Sequence, residues 1–219
     1  MTRNFLAAAQ FLTRVPIRLR TAPDLAAAVP WFPVVGALIG AAVGLVAAGL
    51  TEVVPSSVAA AIAIIVGLLI TGAFHEDGLA DTADALGGMT PERRREILKD
   101  SRHGSYGVAA MCTTIVLRII CVASLGPAAA FAGLVAAHTL GRGAAVAAMV
   151  TGRPAAHKGL GADYTRVLSR RSAAVGVLAA LAIGALVGGW WVGPLALAVA
   201  VGAAAVIRLA HRAFDGISG

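Results

Sequence analysis

Long runs of Ala, Gly, Leu, Ile and Val recur along the chain, parted by shorter polar stretches. Six such runs can be drawn, at 32–50, 57–74, 107–125, 128–150, 173–191 and 194–209. Most approach the roughly 20 apolar residues that a helix needs to cross a bilayer. The pattern therefore predicts an all-α polytopic transmembrane bundle of about six spanning helices. Residues 1–219 form a single integral membrane domain, with no internal repeat and no linker to a second one. Before the first run, residues 1–20 mix short apolar stretches with Arg14 and Pro16, which suits an interfacial helix better than a spanning one. Gly36, Gly40 and Gly44 form a doubled small-xxx-small repeat, so the first long helix should pack closely against a neighbour.

Composition strengthens this picture. Of 219 residues, 58% are hydrophobic and 13% charged, with a mean hydropathy of +0.84. A soluble domain carries about twice that charge. The net charge of +7 would by itself suit a nucleic-acid partner, but no soluble basic face exists to receive one. Instead the basic residues sort by side. With the amino terminus inside, sixteen of the eighteen Lys and Arg fall in inside loops or termini and none in the outside turns. Arg118 and Arg142 lie well inside runs. The positive-inside rule then sets a cytoplasmic amino terminus. Two cytoplasmic loops, 75–106 and 151–172, are long enough to carry function. Cys112 and Cys121 sit on opposite faces of one helix, which rules out a disulfide between them.

Seven of the eleven acidic residues lie between 76 and 100. Asp77, Asp81 and Asp84 follow i, i+4, i+7 spacing, within about 60° on one helical face. Stacked carboxylates repel unless a cation sits among them, and a hard divalent ion with oxygen ligands fits. Mg²⁺ uses few protein carboxylates and completes its shell with phosphate oxygens and water, so a phosphate-bearing substrate is expected. The segment Lys99-Asp100-Ser101-Arg102-His103-Gly104 supplies cations, a hydroxyl and flexible backbone for that phosphate. Arg142 is expected to reach the same phosphate, and Arg118 to remain structural. His75 and His103 flank the two motifs and are further candidates. Together these residues predict phosphoryl transfer.

Phe74-His75-Glu76-Asp77-Gly78-Leu79-Ala80-Asp81-Thr82-Ala83-Asp84, followed by Lys99-Asp100-Ser101-Arg102-x-Gly104-x-x-Gly107, closely resembles the cobalamin synthase family, the adenosylcobinamide-GDP ribazoletransferases. Phe11-Leu12-Thr13-Arg14-Val15-Pro16, Phe32-Pro33-x-x-Gly36, Arg142-Gly143 and Gly159-Leu160-Gly161 extend the likeness over nearly the whole chain. The resemblance implies an Mg²⁺-dependent membrane enzyme at the last stage of vitamin B12 assembly. Its substrates would be adenosylcobinamide-GDP and α-ribazole or its 5′-phosphate, and GMP would leave. Carried onto this chain, it implies Asp77, Asp81 and Asp84 as metal ligands. Lys99, Ser101, Arg102, Arg142 and His75 would contact substrate phosphate. Asp100 would be a further metal ligand or the base that takes the ribose hydroxyl proton, with Asp84 beside it as a catalytic residue. Homo-oligomerisation is left open. The resemblance implies a continuation past Gly219 with a further acidic glycine motif, so either a shortened form or the absence of that acidic contribution to the site is expected here.

Two other readings compete. A CDP-alcohol phosphotransferase performs similar chemistry, but its signature has an Ala-Arg pair where Ala80 is followed by Asp81, and it needs a later Asp pair. An ion-coupled transporter would place its acids near the bilayer midplane, on repeated and broken helices. Here the acids lie at a helix end and no repeat is visible.

Overall fold

The computed structural model describes residues 1–21, 24–100, 102–153 and 168–217. Among them are ten α-helices and no strand. These are α1 (Thr2–Leu12), α2 (Leu25–Ala28), α3 (Phe32–Leu50), α4 (Ser56–Thr71), α5 (Phe74–Leu86), α6 (Pro91–Ile97), α7 (Ser105–Ala123), α8 (Pro127–Thr151), α9 (Arg170–Gly188) and α10 (Val192–Phe214). The all-α architecture expected from the apolar runs is present. Ser101 and the Gly159-Leu160-Gly161 match lie outside the described residues.

Helix α8 is the centre of the bundle. The glycine stripe of α3 lies directly on it, antiparallel. A Cβ added at Gly36 would come 2.5 Å from the His138 carbonyl oxygen, and one at Gly40 would come 2.6 Å from that of Leu134. Gly44 meets Phe131 in the same way. Only residues without side chains allow backbones this close, which is how helices gain packing contact where lipid gives no hydrophobic drive. On another flank, Gly143 faces Ala180 and Gly176 faces Val146, so α9 also runs antiparallel to α8. Gly189, at φ 54 and ψ −134, ends α9 and turns the chain into α10. The far end of α10 returns to the end of α8, where the Ile217 N–H donates to the Arg153 carbonyl at 2.7 Å.

Among the described residues, four segments are long and apolar enough to cross a membrane: Ala26–Leu50, Ser105–Ala123, Pro127–Thr151 and Arg170–Phe214. The bent pair Ser56–Thr71 and Phe74–Leu86 brings the count to five. Helices occupy all six expected runs, yet this count is lower than six for two reasons. Helix α4 has only 16 residues, and α9 and α10 join into one stretch of 45 residues. A straight helix of that length would span about 68 Å, more than twice a hydrocarbon core. The turn at Gly189 folds it back.

The outer surface is apolar. Leu38, Leu45, Leu69, Leu117, Ile120, Leu178, Leu186, Leu197 and Val201 are all exposed. Only Gly107 is buried along the whole of α7. Such a belt fits lipid as the surrounding solvent, because every backbone group inside it is satisfied within a helix. Trp190 and Trp191 stack at 4.1 Å on the turn between α9 and α10. The free cysteines Cys112 and Cys121 are exposed on α7.

The amino-terminal helix packs one face on this bundle through Ala7, Ala8 and Leu12, and Phe11 stacks on Phe32 at 5.5 Å. Beyond it, the Arg14 N–H donates to the Ile70 carbonyl at 2.7 Å, and the Arg14 side chain lies over Gly72. This is where α4 stops. Gly72 (φ 67) and Ala73 (φ 56) are both left-handed, and α5 leaves at 89° to α4. Glycine adopts that conformation freely, whereas Ala73 holds it at a cost of about 1 kcal/mol.

Candidate active site

The interval 75–106, expected as a loop, is largely helical. Helix α5 carries Asp77, Asp81 and Asp84, and it crosses the end of the bundle instead of continuing the apolar run of α4. Glu76 and Asp77 sit in its first turn, where the helix dipole favours negative charge. The short α6 follows, started by Pro91 and by Thr90, whose hydroxyl accepts from the Arg93 N–H at 3.2 Å. Its Arg95 pairs with Asp215 at 2.7 Å and so ties α6 to the end of α10.

Two of the three aligned carboxylates meet a histidine. His103 Nε2 lies 3.5 Å from Asp77 Oδ1, and its Nδ1 lies 3.8 Å from Asp81 Oδ1. One donor atom from each of Asp77, Asp81 and His103 falls within 4.8 Å of the others. Burial, and then the neighbouring Asp77 charge, push the Asp81 carboxyl above the ordinary carboxylate range.

Asp84 does something different. Its oxygens accept from the Gly104 N–H at 2.6 Å and the Gly107 N–H at 2.8 Å. It is the amino-terminal cap of α7, supplied from another helix. Its carboxylate accepts from these backbone donors, and it is not among the three residues whose donor atoms converge within 4.8 Å. Gly104 and Gly107 are glycines for the same reason: a Cβ at Gly104 would lie 2.6 Å from Asp84 Oδ1, and one at Gly107 would collide with Oδ2. The backbone donors expected for a phosphate thus serve Asp84.

Asp100 and Arg102 form a closed pair. The guanidinium donates through Nε at 3.0 Å and Nη2 at 2.8 Å, one bond to each carboxylate oxygen. These hydrogen bonds hold the exposed Asp100 carboxyl down at about 2. In this arrangement the Asp100 carboxylate is engaged by the guanidinium and orients Arg102. Lys99 is exposed just beyond α6. Ser101, expected at the phosphate, lies outside the described residues.

Behind α5 a second group forms, and the sequence pattern did not reveal it. Glu76 is buried and accepts from Arg118 Nη1 at 2.5 Å. Arg142 is buried too, its Nη1 lying 3.0 Å from His138 Nδ1. With His75 these residues line a cavity of about 430 Å³ between α3, α4, α7 and α8. Arg142 and His75, both expected at a phosphate, therefore belong to the cavity and not to the acidic cluster. The Glu76–Arg118 pairing joins residues 42 apart, and its one sequence signal is an Arg inside an apolar run.

The sequence profile of cobalamin-5-phosphate synthase matches residues 4–219. The chain is 38% identical to an adenosylcobinamide-GDP ribazoletransferase of Ralstonia nicotianae over 99% of its length and 87% of that protein. A protein of the same name from Azorhizobium caulinodans is 36% identical over 97% of this chain and 86% of its own. One from Shewanella frigidimarina is 43% identical over 63% of this chain and 56% of its own. No solved structure matches. The profile covers both the α5 cluster and the α8 scaffold, and on that match the chain belongs to the cobalamin-5-phosphate synthase family.

Proposed function

We propose that this membrane protein transfers the phosphocobinamide group of adenosylcobinamide-GDP to α-ribazole or its 5′-phosphate, releasing GMP. Family membership supports the reaction. The observation that ties it to this chain is the convergence of Asp77, Asp81 and His103 at the end of the bundle. A hydroxyl oxygen of the ribazole ribose bonds to the phosphorus attached to cobinamide. The bond from that phosphorus to the bridging oxygen breaks, and GMP leaves.

The donor set fits a divalent cation. Two hard carboxylates suit Mg²⁺, and so small a protein contribution leaves room for diphosphate oxygens and water. Asp77 and Asp81 would hold the ion, which when bound would neutralise charge building on the diphosphate. His103 faces both carboxylates and would take the proton of the attacking hydroxyl. Arg102, held ready by Asp100, would swing to a phosphate oxygen as the diphosphate arrives. Asp84 keeps α5 and α7 in register, so that His103 stands opposite the two aspartates.

The loops at this end of the bundle carry nearly all the basic residues, which supports a site on the cytoplasmic face of an inner membrane. Supplying adenosylcobinamide-GDP, α-ribazole and Mg²⁺ to the detergent-solubilised protein tests the proposal. GMP and a cobalamin should form together, and a folded sample that yields neither would rule the reaction out.

A further inference from the structure

The cavity behind α5 is divided by chemistry. Ile64, Leu68, Val122 and Leu134 make its walls apolar, while Glu76, Arg118, His138 and Arg142 gather towards one end with His75. Its volume of about 430 Å³ lies within the roughly 300–1,000 Å³ of small-molecule sites. Two of the polar side chains have hydrogen-bonding capacity left unmet. Glu76 Oε2 and Arg142 Nε have no partner among the described residues, although Glu76 has 7% side-chain exposure and Arg142 9%. Buried polar atoms are rarely left unsatisfied, because each has given up its hydration with no bond in return. A ligand with a flat apolar body, one acceptor for Arg142 and one donor for Glu76 would remove both deficits.

We propose that this cavity is the acceptor subsite and seats the ribonucleoside by its apolar fused-ring base. The inference rests on the reaction proposed above. Of the groups in that reaction, the guanosine diphosphate is polyanionic and belongs with the cation site, and a corrin macrocycle is too large for the slot. Ribazole combines a methylated benzimidazole, whose free ring nitrogen accepts a hydrogen bond, with a ribose whose hydroxyls donate. The ring nitrogen pairs with Arg142 Nε–H, and a ribose hydroxyl with Glu76 Oε2. Glu76 directly precedes Asp77, so a sugar anchored on Glu76 sits beside the turn of α5 that carries the cation site. The apolar base remains among the α4, α7 and α8 walls. An adenine or guanine base, with more polar edges, would leave its own groups unpaired there, so the cavity also sets acceptor specificity.

Filling the cavity tests this without touching the acidic cluster. Gly133 lines it, and a Cβ there meets only Leu125 Cδ1 at an ordinary 3.6 Å, so Gly133→Leu directs its bulk into the empty volume. Ala137→Phe, from the next turn, does the same. In the purified full-length protein, each variant should raise KM for α-ribazole about tenfold or more. KM for adenosylcobinamide-GDP, the Mg²⁺ requirement and the melting temperature should stay unchanged. Unchanged KM for both substrates, or equal rises in both, would overturn the assignment. So would native mass spectrometry showing a phospholipid held by the wild type and lost from Gly133→Leu, with KM for α-ribazole unaltered. Failure of the wild type to release GMP would instead sink the reaction itself, so the two failures are distinguishable.

Discussion

Asp84 on α5 accepts the backbone N–H of Gly107 in the first turn of α7 at 2.8 Å, 23 residues away in sequence. With the matching bond from Gly104, this joins the helix carrying Asp77 and Asp81 to the segment carrying His103. Charge-assisted bonds of this kind contribute about 1.5–3 kcal/mol each. Asp84→Ala should therefore lower stability by at least about 2 kcal/mol, and Gly107→Ala should be comparably harmful because its Cβ meets the same carboxylate. Thermal melts in detergent would check both. A ligand role for Asp84 without the capping role predicts an unchanged melting temperature.

The Glu76–Arg118 pair gives a second expectation. Replacing Arg118 by Met leaves the Glu76 carboxylate buried and unpaired. Removing one partner of a buried pair costs about 3–5 kcal/mol, less here because Arg118 is half exposed. The single variant should lose roughly 2 kcal/mol, and the double variant with Glu76→Gln should recover much of it. Denaturation midpoints of the two singles and the double form the cycle that decides.

Two features govern the response to pH. The Asp81 carboxyl is raised by burial and by Asp77, so it takes up a proton at a higher pH than an ordinary aspartate. As pH falls, protons compete with Mg²⁺ at Asp81 first, and the Mg²⁺ concentration for half-maximal turnover should rise on the acid side of neutrality. Asp100 behaves oppositely. Its carboxyl is depressed to about 2, so the Arg102 pair is present above the usual aspartate range and is lost only as pH falls through about 2. Asp100→Asn should therefore leave the acid limb of the rate profile where it is. A shifted limb would give Asp100 a titrating role.

His103 separates proton transfer from metal binding. His103→Gln should depress kcat by about a hundredfold, the scale of general-base catalysis, while the Mg²⁺ dependence keeps its midpoint. Equal loss of Mg²⁺ affinity would make His103 a ligand instead. Titrations of turnover against Mg²⁺ for the wild type and the variant read this directly.

How much of this the sequence could reveal follows from which interactions are local. The apolar runs located the long helices because burial in lipid needs only length and composition. The Gly36–Gly40–Gly44 stripe announced close packing, and α8 is where it packs. Asp77 and Asp81, one helical turn apart, shared a face as their spacing requires. Asp84 satisfies the same periodicity, but its bonds to Gly104 and Gly107 are tertiary contacts that spacing does not encode. The 89° break at Gly72–Ala73 was hidden because no proline or charge interrupts the run there, and its only local signal was Gly72 itself. The pairing of Glu76 with Arg118 depends on two helices meeting. No pattern within either one encodes that.

The central claim is that Asp77 and Asp81 hold the cation for transfer from adenosylcobinamide-GDP to α-ribazole. GMP release by purified wild type and Asp81→Asn, measured across a range of Mg²⁺ concentrations, tests it most directly. The wild type should release GMP with cobalamin in an Mg²⁺-dependent way. Asp81→Asn should lose roughly a hundredfold or more of that turnover at an unchanged melting temperature. Normal turnover and normal Mg²⁺ dependence in a folded Asp81→Asn protein would contradict it.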